Sequence, residues 1–475
     1  ISVVVVLAIA LVGSFSLAGC KPAADPETII ETVTETVTET VIVEVESDKP
    51  VELLIWTEPY EIIAGKVGFS WDELIATYQA DTGSTTEIKV VEYPFSGLEA
   101  AVLIAIQSGT FPDMYQGSGN RIIPLIGLGV FDEIPEGTVS TEQWPEIAFE
   151  LGTFSDTQYF VAGWTSFFPL IINKALFKKA GVEDLIPDEA TRSWTRDNYM
   201  AAIEAISKLD DAWGVSFDLV WNDTDKGNDA YVWADGDPWT DDTYVNATFN
   251  TPKNIENFEW IVSVMQSEYA YPNPLSVDVF PQAEDFIAGK IGVYCEYLST
   301  AWEIYNGYED GTVSKDDVDP MYVFFPTDDG SPSKSLILVN GWAIKKQDDA
   351  AKVAAAQDFY KWLYDADNYW VQKLVEVPLA SVLANGAIDP ADFVGREELL
   401  ALGTMPVMDG VEPLPFAAAI PGFQQLRTVW HENIQLAYLN ELTPEEARNK
   451  MQTEAEEVIA NAVAEQAEMT ANIGQ

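Results

Sequence analysis

Short apolar runs of strand character alternate with capped helices along most of this 475-residue chain. That alternation restricts it to an α/β architecture with a parallel, helix-covered sheet. Residues 51–56 form an apolar run suited to a buried strand. Ser70-Trp71-Asp72-Glu73 puts Ser at an N-cap and Glu at N3, a capping box. Leu74, Ile75 and Tyr78 share one side of the helix it opens, and Gly83 suits its C-terminal end. Residues 86–91 predict the next strand, 99–107 a second helix and 113–115 a third, short strand. The device then repeats: a strand over 169–172 leads into a helix over 173–180, and residues 196–209 carry Tyr199, Ile203 and Ile206 at helical spacing. Thr251-Pro252 supplies an N-cap and a proline at N1 for a helix bearing Ile255, Phe258, Ile261 and Met265. Residues 351–364 repeat this pattern, and Thr443-Pro444-Glu445-Glu446 opens a long C-terminal helix with a second capping box. Between residues 215 and 245 the periodicity stops, and Asp, Asn and Gly are interleaved with Trp221, Trp233 and Trp239. Long irregular stretches inside compact domains are often functional.

Composition narrows the partners. Asp and Glu number 77 against 25 Lys and Arg, a net charge of −52. Such a surface repels phosphate backbones, so nucleic-acid binding is not expected; it favours solubility and a monomer. Salt would screen this self-repulsion, as a saline habitat would. The 47% hydrophobic and 12% aromatic content supplies large cores and argues against disorder. His431 is the only histidine, which removes His-based triads and His-rich zinc sites; it is read as structural. No cofactor is expected. The run over residues 3–12 closes on Leu17-Ala18-Gly19-Cys20, which resembles a prokaryotic lipoprotein signal and implies lipidation of Cys20. The alternative is an uncleaved membrane anchor; both place the bulk of the chain outside the cytoplasm. The chain begins at Ile1 rather than Met, so a truncated precursor is expected. Residues 1–20 are thus read as the signal and residues 21–50, with their Thr-Glu-Thr-Val repeats, as an extended, like-charged tether. Cys295 then lacks a partner, and no disulfide is predicted.

Taken in order, several segments resemble the extracellular solute-binding proteins of ABC importers, in the sugar-binding group typified by maltose-binding protein. Trp71-Asp72-Glu73-Leu74 with Tyr78 and Thr82-Gly83 is similar to that family's first helix. Ala105-Ile106-Gln107-Ser108-Gly109 with Pro112-Asp113 resembles its next turn. Leu170-Ile171-Ile172-Asn173-Lys174, with Phe177 and Ala180-Gly181, resembles its Tyr-Asn-Lys segment, with Ile172 where Tyr is usual. Ser193-Trp194-Thr195, and Phe286-Ile287-Ala288-Gly289-Lys290 followed by Trp302, complete the series. The resemblance implies a periplasmic-binding-protein-like fold: two α/β lobes joined by a multi-crossing hinge, with a ligand cleft between them. Lobe 1 would take residues 51–165 and 326–376, and lobe 2 residues 166–325 and 377–475, with crossings near Thr165, Phe325 and Val377. The lobes would close on a small solute, a sugar or oligosaccharide, and dock on a membrane permease.

Sugars offer apolar C–H faces to aromatic rings and hydroxyl rims to polar side chains. Candidates therefore sit on loops after strands, where open α/β sheets bind ligands. Trp56 and Glu58 follow the first strand; Asn120 and Arg121 follow the Pro112-Asp113 strand; Trp164 and Ser166 lie at the first crossing. Trp221, Trp233 and Trp239 occupy the irregular stretch. By resemblance Trp302 stands at the family's stacking Trp and is the foremost candidate, with Glu296, Trp342 and Phe423 beside it. Arg427 stands where a second stacking Trp is often found, with Trp430 nearby. Asp223, Asp225, Asn228 and Asp229 invite a calcium reading, but Gly227 and Asn228 break the EF-hand order, and a solvated acidic loop is the simpler expectation. A glycosidase would need two carboxyls spaced across a cleft, and no motif supports one; a surface adhesion protein would lack a closable cleft. Cys20→Ser is expected to abolish labelling by a fatty-acid probe and to move the protein into the aqueous phase of a detergent partition. An acylated variant would refute the lipoprotein reading.

Overall fold

The computed structural model describes residues 50–59, 68–94, 98–154, 156–222, 224–296, 300–375, 380–386, 389–408, 410–414 and 420–473. Cys20, nearly all of the tether, Asp223 and Val377 lie outside the described residues. The chain opens with β1 (Glu52–Thr57), α1 (Trp71–Thr82), β2 (Glu87–Glu92), α2 (Leu98–Ser108), β3 (Met114–Ser118) and α3 (Gly119–Gly127). It continues with β4 (Ala162–Phe167), β5 (Leu170–Asn173), α4 (Lys174–Lys179), α5 (Arg196–Ile206) and β6 (Trp213–Val215). Then come α6 (Pro252–Met265), α7 (Val279–Ile287), β7 (Ile291–Cys295), α8 (Thr300–Asp310), β8 (Pro320–Val323) and β9 (Ser335–Ile344). The last elements are α9 (Ala350–Leu363), α10 (Tyr369–Val375), β10 (Ala380–Val382), α11 (Glu397–Thr404), β11 (Pro413–Leu414), α12 (Phe423–Tyr438) and α13 (Pro444–Ile473).

Local chemistry accounts for the helix starts. The hydroxyls of Thr195 and Thr251 accept the N–H groups of Asn198 and Asn254, and the Asn173 and Asp349 side chains cap α4 and α9 in the same way. Thr443 and Glu446 bond reciprocally at the start of α13, the full capping box. Ser70 departs from expectation. It stands at the N-cap with extended backbone, but its side chain bonds no helix N–H; its carbonyl takes the first helical bond, from Leu74 at 3.0 Å. Gly83 closes α1 at φ 70°, in the left-handed region.

A separate two-stranded ribbon pairs Thr153–Phe154 with Thr157–Gln158, and two sheets take β1 to β11. The first runs β10-β4-β9-β3-β1-β2, with β11 paired to the start of β9. β1, β2 and β3 are parallel, and β9 inserts antiparallel between β3 and β4, with Asn340 opposite Ser118 and Leu338 opposite Ser166. The second runs β8-β5-β7-β6. Each sheet is covered on both faces: α1, α9 and α10 pack one face of the first and α2 and α3 the other. In the second, α4, α5, α6, α12 and α13 pack one face, and α7, α8 and α11 the other. The strand boundaries shift the expected division of the chain. β4 runs on to Phe167, past Thr165. Residues 380–382 and 413–414, expected in the second lobe, pair into the first sheet, because β4 and the start of β9 offer them open edges. The irregular stretch contains two single-turn helices, Asp225–Asn228 and Ala230–Trp233, and most of it is packed in the core.

Buried ion pairs fasten that stretch to the C-terminal helices. Arg448 is 0% exposed and binds Asp229, whose second oxygen accepts the Trp239 indole N–H at 2.6 Å. Arg427 pairs with buried Asp225 at 3.1 Å. Removing one partner strands the other charge in the core. Asp229→Asn or Arg448→Met is therefore expected to cost about 3–5 kcal/mol in denaturant unfolding, and the double replacement clearly less than the sum.

Candidate functional site

Register fixes which strand ends meet. β4 is parallel to β3 through β9, so the C-terminal ends of β1, β2, β3 and β4 lie along one side of the first sheet. β4 ends at Phe167 and β5 starts at Leu170, opposite Cys295 of β7 and Val323 of β8. β6 is parallel to β7. The C-terminal ends of β6, β7 and β8 thus face the same crossing, and the next passage, residues 324–334, leaves from the end of β8. The ends of both sheets converge there, the position at which open α/β sheets bind ligands.

On the first sheet, Glu58 follows β1 and its Oε1 accepts three bonds: the Ser118 N–H at 2.9 Å, the Ser118 hydroxyl at 2.7 Å and Arg121 Nη1 at 2.8 Å. Glycine at 117 makes room for this carboxylate, since a Cβ there would stand 3.1 Å from Glu58 Oε1 and 2.9 Å from the Tyr115 ring. The carboxylate sits at the N-terminus of α3, where the helix dipole favours negative charge. Asn120, in the same first turn, is 6% exposed, and its Oδ1 has no partner. Trp56 is placed differently from expectation: it is buried against Tyr93, at 4.3 Å between ring centroids, and Phe111 in the core under α2 and α3.

On the second sheet, Glu296 follows β7 and is fully buried. Its Oε2 accepts the Thr300 N–H and the Tyr322 hydroxyl, each at 3.0 Å, so it holds the start of α8 in place. Burial, then the Glu296 charge, pushes the Tyr322 phenol well above its usual value. Burial likewise raises the Tyr294 phenol, with Glu296, Cys295, Asp218 and Glu303 adding to it. Trp302 lies half-buried in the first turn of α8. Trp221 is 39% exposed and meets the ring of Phe280, itself 50% exposed, edge-on at 5.6 Å. The Lys226 ammonium lies 4.6 Å from the ring of Phe168, in the crossing itself.

Other expected contacts prove to be packing. Trp164 and Trp342 join Trp71 and Trp370 in an aromatic cluster under α1, α9 and α10. Trp233, Trp239 and Phe423 are buried together beneath α12 and α13, with the Arg427 guanidinium over the Phe423 ring. Arg427 is held by Asp225 and does not stand free. Ser166 is half-buried near the crossing, with Asn340 Nδ2 3.4 Å from its hydroxyl. Asp225 and Asp229 are engaged by arginines and Asn228 by the Asp218 carbonyl, and among the described residues no acidic group is arranged to hold a metal ion. His431 Nε2 lies 2.9 Å from the Leu219 carbonyl, a structural contact. Cys295 is buried in β7. Sequence reasoning missed Ser118, Asp218, Lys226 and Phe280, and also Thr57 and Gln116. These last two stand opposite one another beside Trp342, all with buried polar atoms lacking a partner. The signal was Gln116-Gly117-Ser118, a polar run inside an apolar strand.

Two helix-covered sheets joined at convergent strand ends define a solute-binding fold. The family model for bacterial extracellular solute-binding proteins matches residues 73–379, and the chain belongs to that family. Among solved structures, it is similar to an ABC transporter solute-binding protein from Thermotoga lettingae bound with α-D-tagatose. The TM-score is 0.68 at 18% identity, over 86% of this chain and 100% of that one. An ABC substrate-binding protein from Listeria monocytogenes in complex with cycloalternan gives 0.67 at 15% identity, over 87% and 100%. A cyclic α-maltosyl-1,6-maltose binding protein from Arthrobacter globiformis gives 0.65 at 20% identity, over 87% and 100%. These likenesses establish the fold. A search of curated proteins found no match. Among the described residues no helix is long and apolar enough to cross a membrane.

Burial separates the Trp candidates by experiment. Trp342→Ala is expected to cost about 3–5 kcal/mol of stability in denaturant unfolding, and Trp302→Ala at most about half of that. Equal losses would place Trp302 in the core.

Proposed function

We propose that the protein captures a sugar or oligosaccharide outside the cell and delivers it to the permease of an ABC importer. Family membership supports solute binding, and the ligand class is supported by two proteins of this fold bound with α-D-tagatose and cycloalternan and by a third described as a cyclic α-maltosyl-1,6-maltose binding protein. The observation that carries the reading is the pairing of unlike surfaces at the convergent strand ends. The first sheet offers hydrogen-bonding groups (Glu58, Ser118, Asn120, Arg121), whereas the second offers rings: exposed Trp221 and Phe280 and half-buried Trp302. A pyranose needs both, one for its hydroxyl rim and one for its C–H face.

In this reading the two sheet bodies are lobes, and the passages at 167–170, 324–334 and after β10 form the hinge. The middle passage stays with the second lobe: Asp328 is ion-paired to Lys253 and Arg196, and Lys334 donates to the Gly236 carbonyl. Closure then bends the chain near Ser335 rather than within the passage. The tether and a lipid on Cys20 hold the lobes beside the membrane, and the chain acts as a monomer without a cofactor.

A carbohydrate panel in a thermal-shift screen is expected to yield at least one ligand that raises the unfolding midpoint, since a ligand bound only by the folded form stabilises it. The same ligand should be recovered intact after incubation and should shrink the scattering radius. Trp302→Ala should weaken it by about 10- to 100-fold. Hydrolysis of the ligand would sink the proposal.

A further inference from the structure

An importer of sugars can serve neutral sugars or their acidic and phosphorylated derivatives, and the difference rests on whether the site has a cation to spare. Arg196, Lys253 and Lys334 hold the passage over 324–334 through Asp235, Asp328 and the Gly236 carbonyl, and Arg121, Arg427 and Lys226 lie on the other elements that meet at the convergent strand ends. Arg121 Nη1 is 2.8 Å from Glu58 Oε1, with both side chains mostly buried. Arg427 is bound on two sides by Asp225, through Nη2 to Oδ1 at 3.1 Å and Nε to Oδ2 at 3.3 Å, inside the core. Lys226 lies over the Phe168 ring, next in sequence to Asp225. The carboxylates on the same elements leave little positive charge unmatched: Glu58 is paired with Arg121 and Asp225 with Arg427.

The hydrogen-bonding groups point the same way. Asn120 Oδ1 is a buried acceptor without a partner, in the first turn of α3 beside Arg121. An unpaired buried acceptor calls for a donor. Sugar hydroxyls donate; carboxylate and phosphate oxygens only accept. An anion entering here would meet the Glu58 carboxylate already on Arg121, the unmatched Asn120 acceptor and the field of a chain with net charge −52.

We infer that this site, given the sugar-binding reading above, selects neutral polyhydroxy ligands and rejects their anionic derivatives, with Glu58 as the residue that enforces the choice by neutralising Arg121. Rejection is built from repulsion as well as from attraction to the correct ligand.

Calorimetric titration tests this with neutral sugars from monosaccharides to maltooligosaccharides, each beside its sugar acid or sugar phosphate, at fixed ionic strength. The expected result is a neutral ligand whose charged counterpart binds about 100-fold more weakly or not at all. In Glu58→Gln the Arg121 charge is uncompensated, so the charged member should gain about 10-fold or more relative to the neutral one. A charged derivative that binds the unaltered protein as tightly as its neutral parent overturns the inference while leaving the sugar-binding reading intact. So does a gap unchanged in a Glu58→Gln protein whose circular dichroism and unfolding midpoint show it folded. Absence of binding to every carbohydrate, neutral or charged, overturns the sugar-binding reading and this inference with it. The comparison in the unaltered protein needs no variant.

Discussion

The short connection from Phe167 to Leu170 is the constraint on which the rest depends. It joins an interior strand of the first sheet to an interior strand of the second with almost no slack. Because β4 runs parallel to β3, and β5 antiparallel to β7 and β8, the C-terminal strand ends of both sheets are forced to face one another. Everything chemically distinctive at the site follows from this. The Glu58–Ser118–Arg121 cluster, the buried carboxylate of Glu296 and the half-buried Trp302 all come directly after strands that end at this junction.

A second constraint is the scarcity of cations. With 25 Lys and Arg against 77 acids, the buried arginines are spent at joints. Arg192 grips Glu398 through both guanidinium nitrogens, at 2.6 and 3.2 Å, and docks α11 on β8. Arg196 and Lys253 tie Asp235 to Asp328 and so anchor the passage between the sheets. Arg427 and Arg448 lock the segment around Asp225 and Asp229 under the last two helices. Exposed pairs contribute little, whereas a buried pair is costly to break. An acidic surface thus coexists with a well-held interior because the few positive charges lie where removing them would strand a partner.

The elements were legible wherever the signal was local. Thr195, Thr251 and Thr443 announce their helices because a cap needs only the next three or four residues. The order of strands and helices suggested a helix-covered sheet, and the division into two came only from the family resemblance. The division between them was less legible: β10 and β11 are too short to carry a pattern, and their membership in the first sheet is decided by the free edges they meet. Among the candidate residues, Glu58, Asn120 and Arg121 were chosen because they follow strands, and the structure brings Glu58 and Arg121 together. The Trp residues were not sorted, because a ring that packs Trp71 and Trp370 has the same letter as one that faces solvent.

By itself the sequence determined an acidic α/β chain, since charge, helix caps and alternating apolar runs are properties of neighbouring residues; its solute-binding type was implied by the resemblance of its ordered motifs to a known family. Tertiary structure alone decided which side chains are available. It placed Trp342, Trp239 and Phe423 in cores, and left Trp221 exposed and Trp302 half-buried. It also set Glu58 against Arg121 across 63 residues of chain. Burial and charge pairing are settled by what another part of the chain brings alongside, and no local pattern records that.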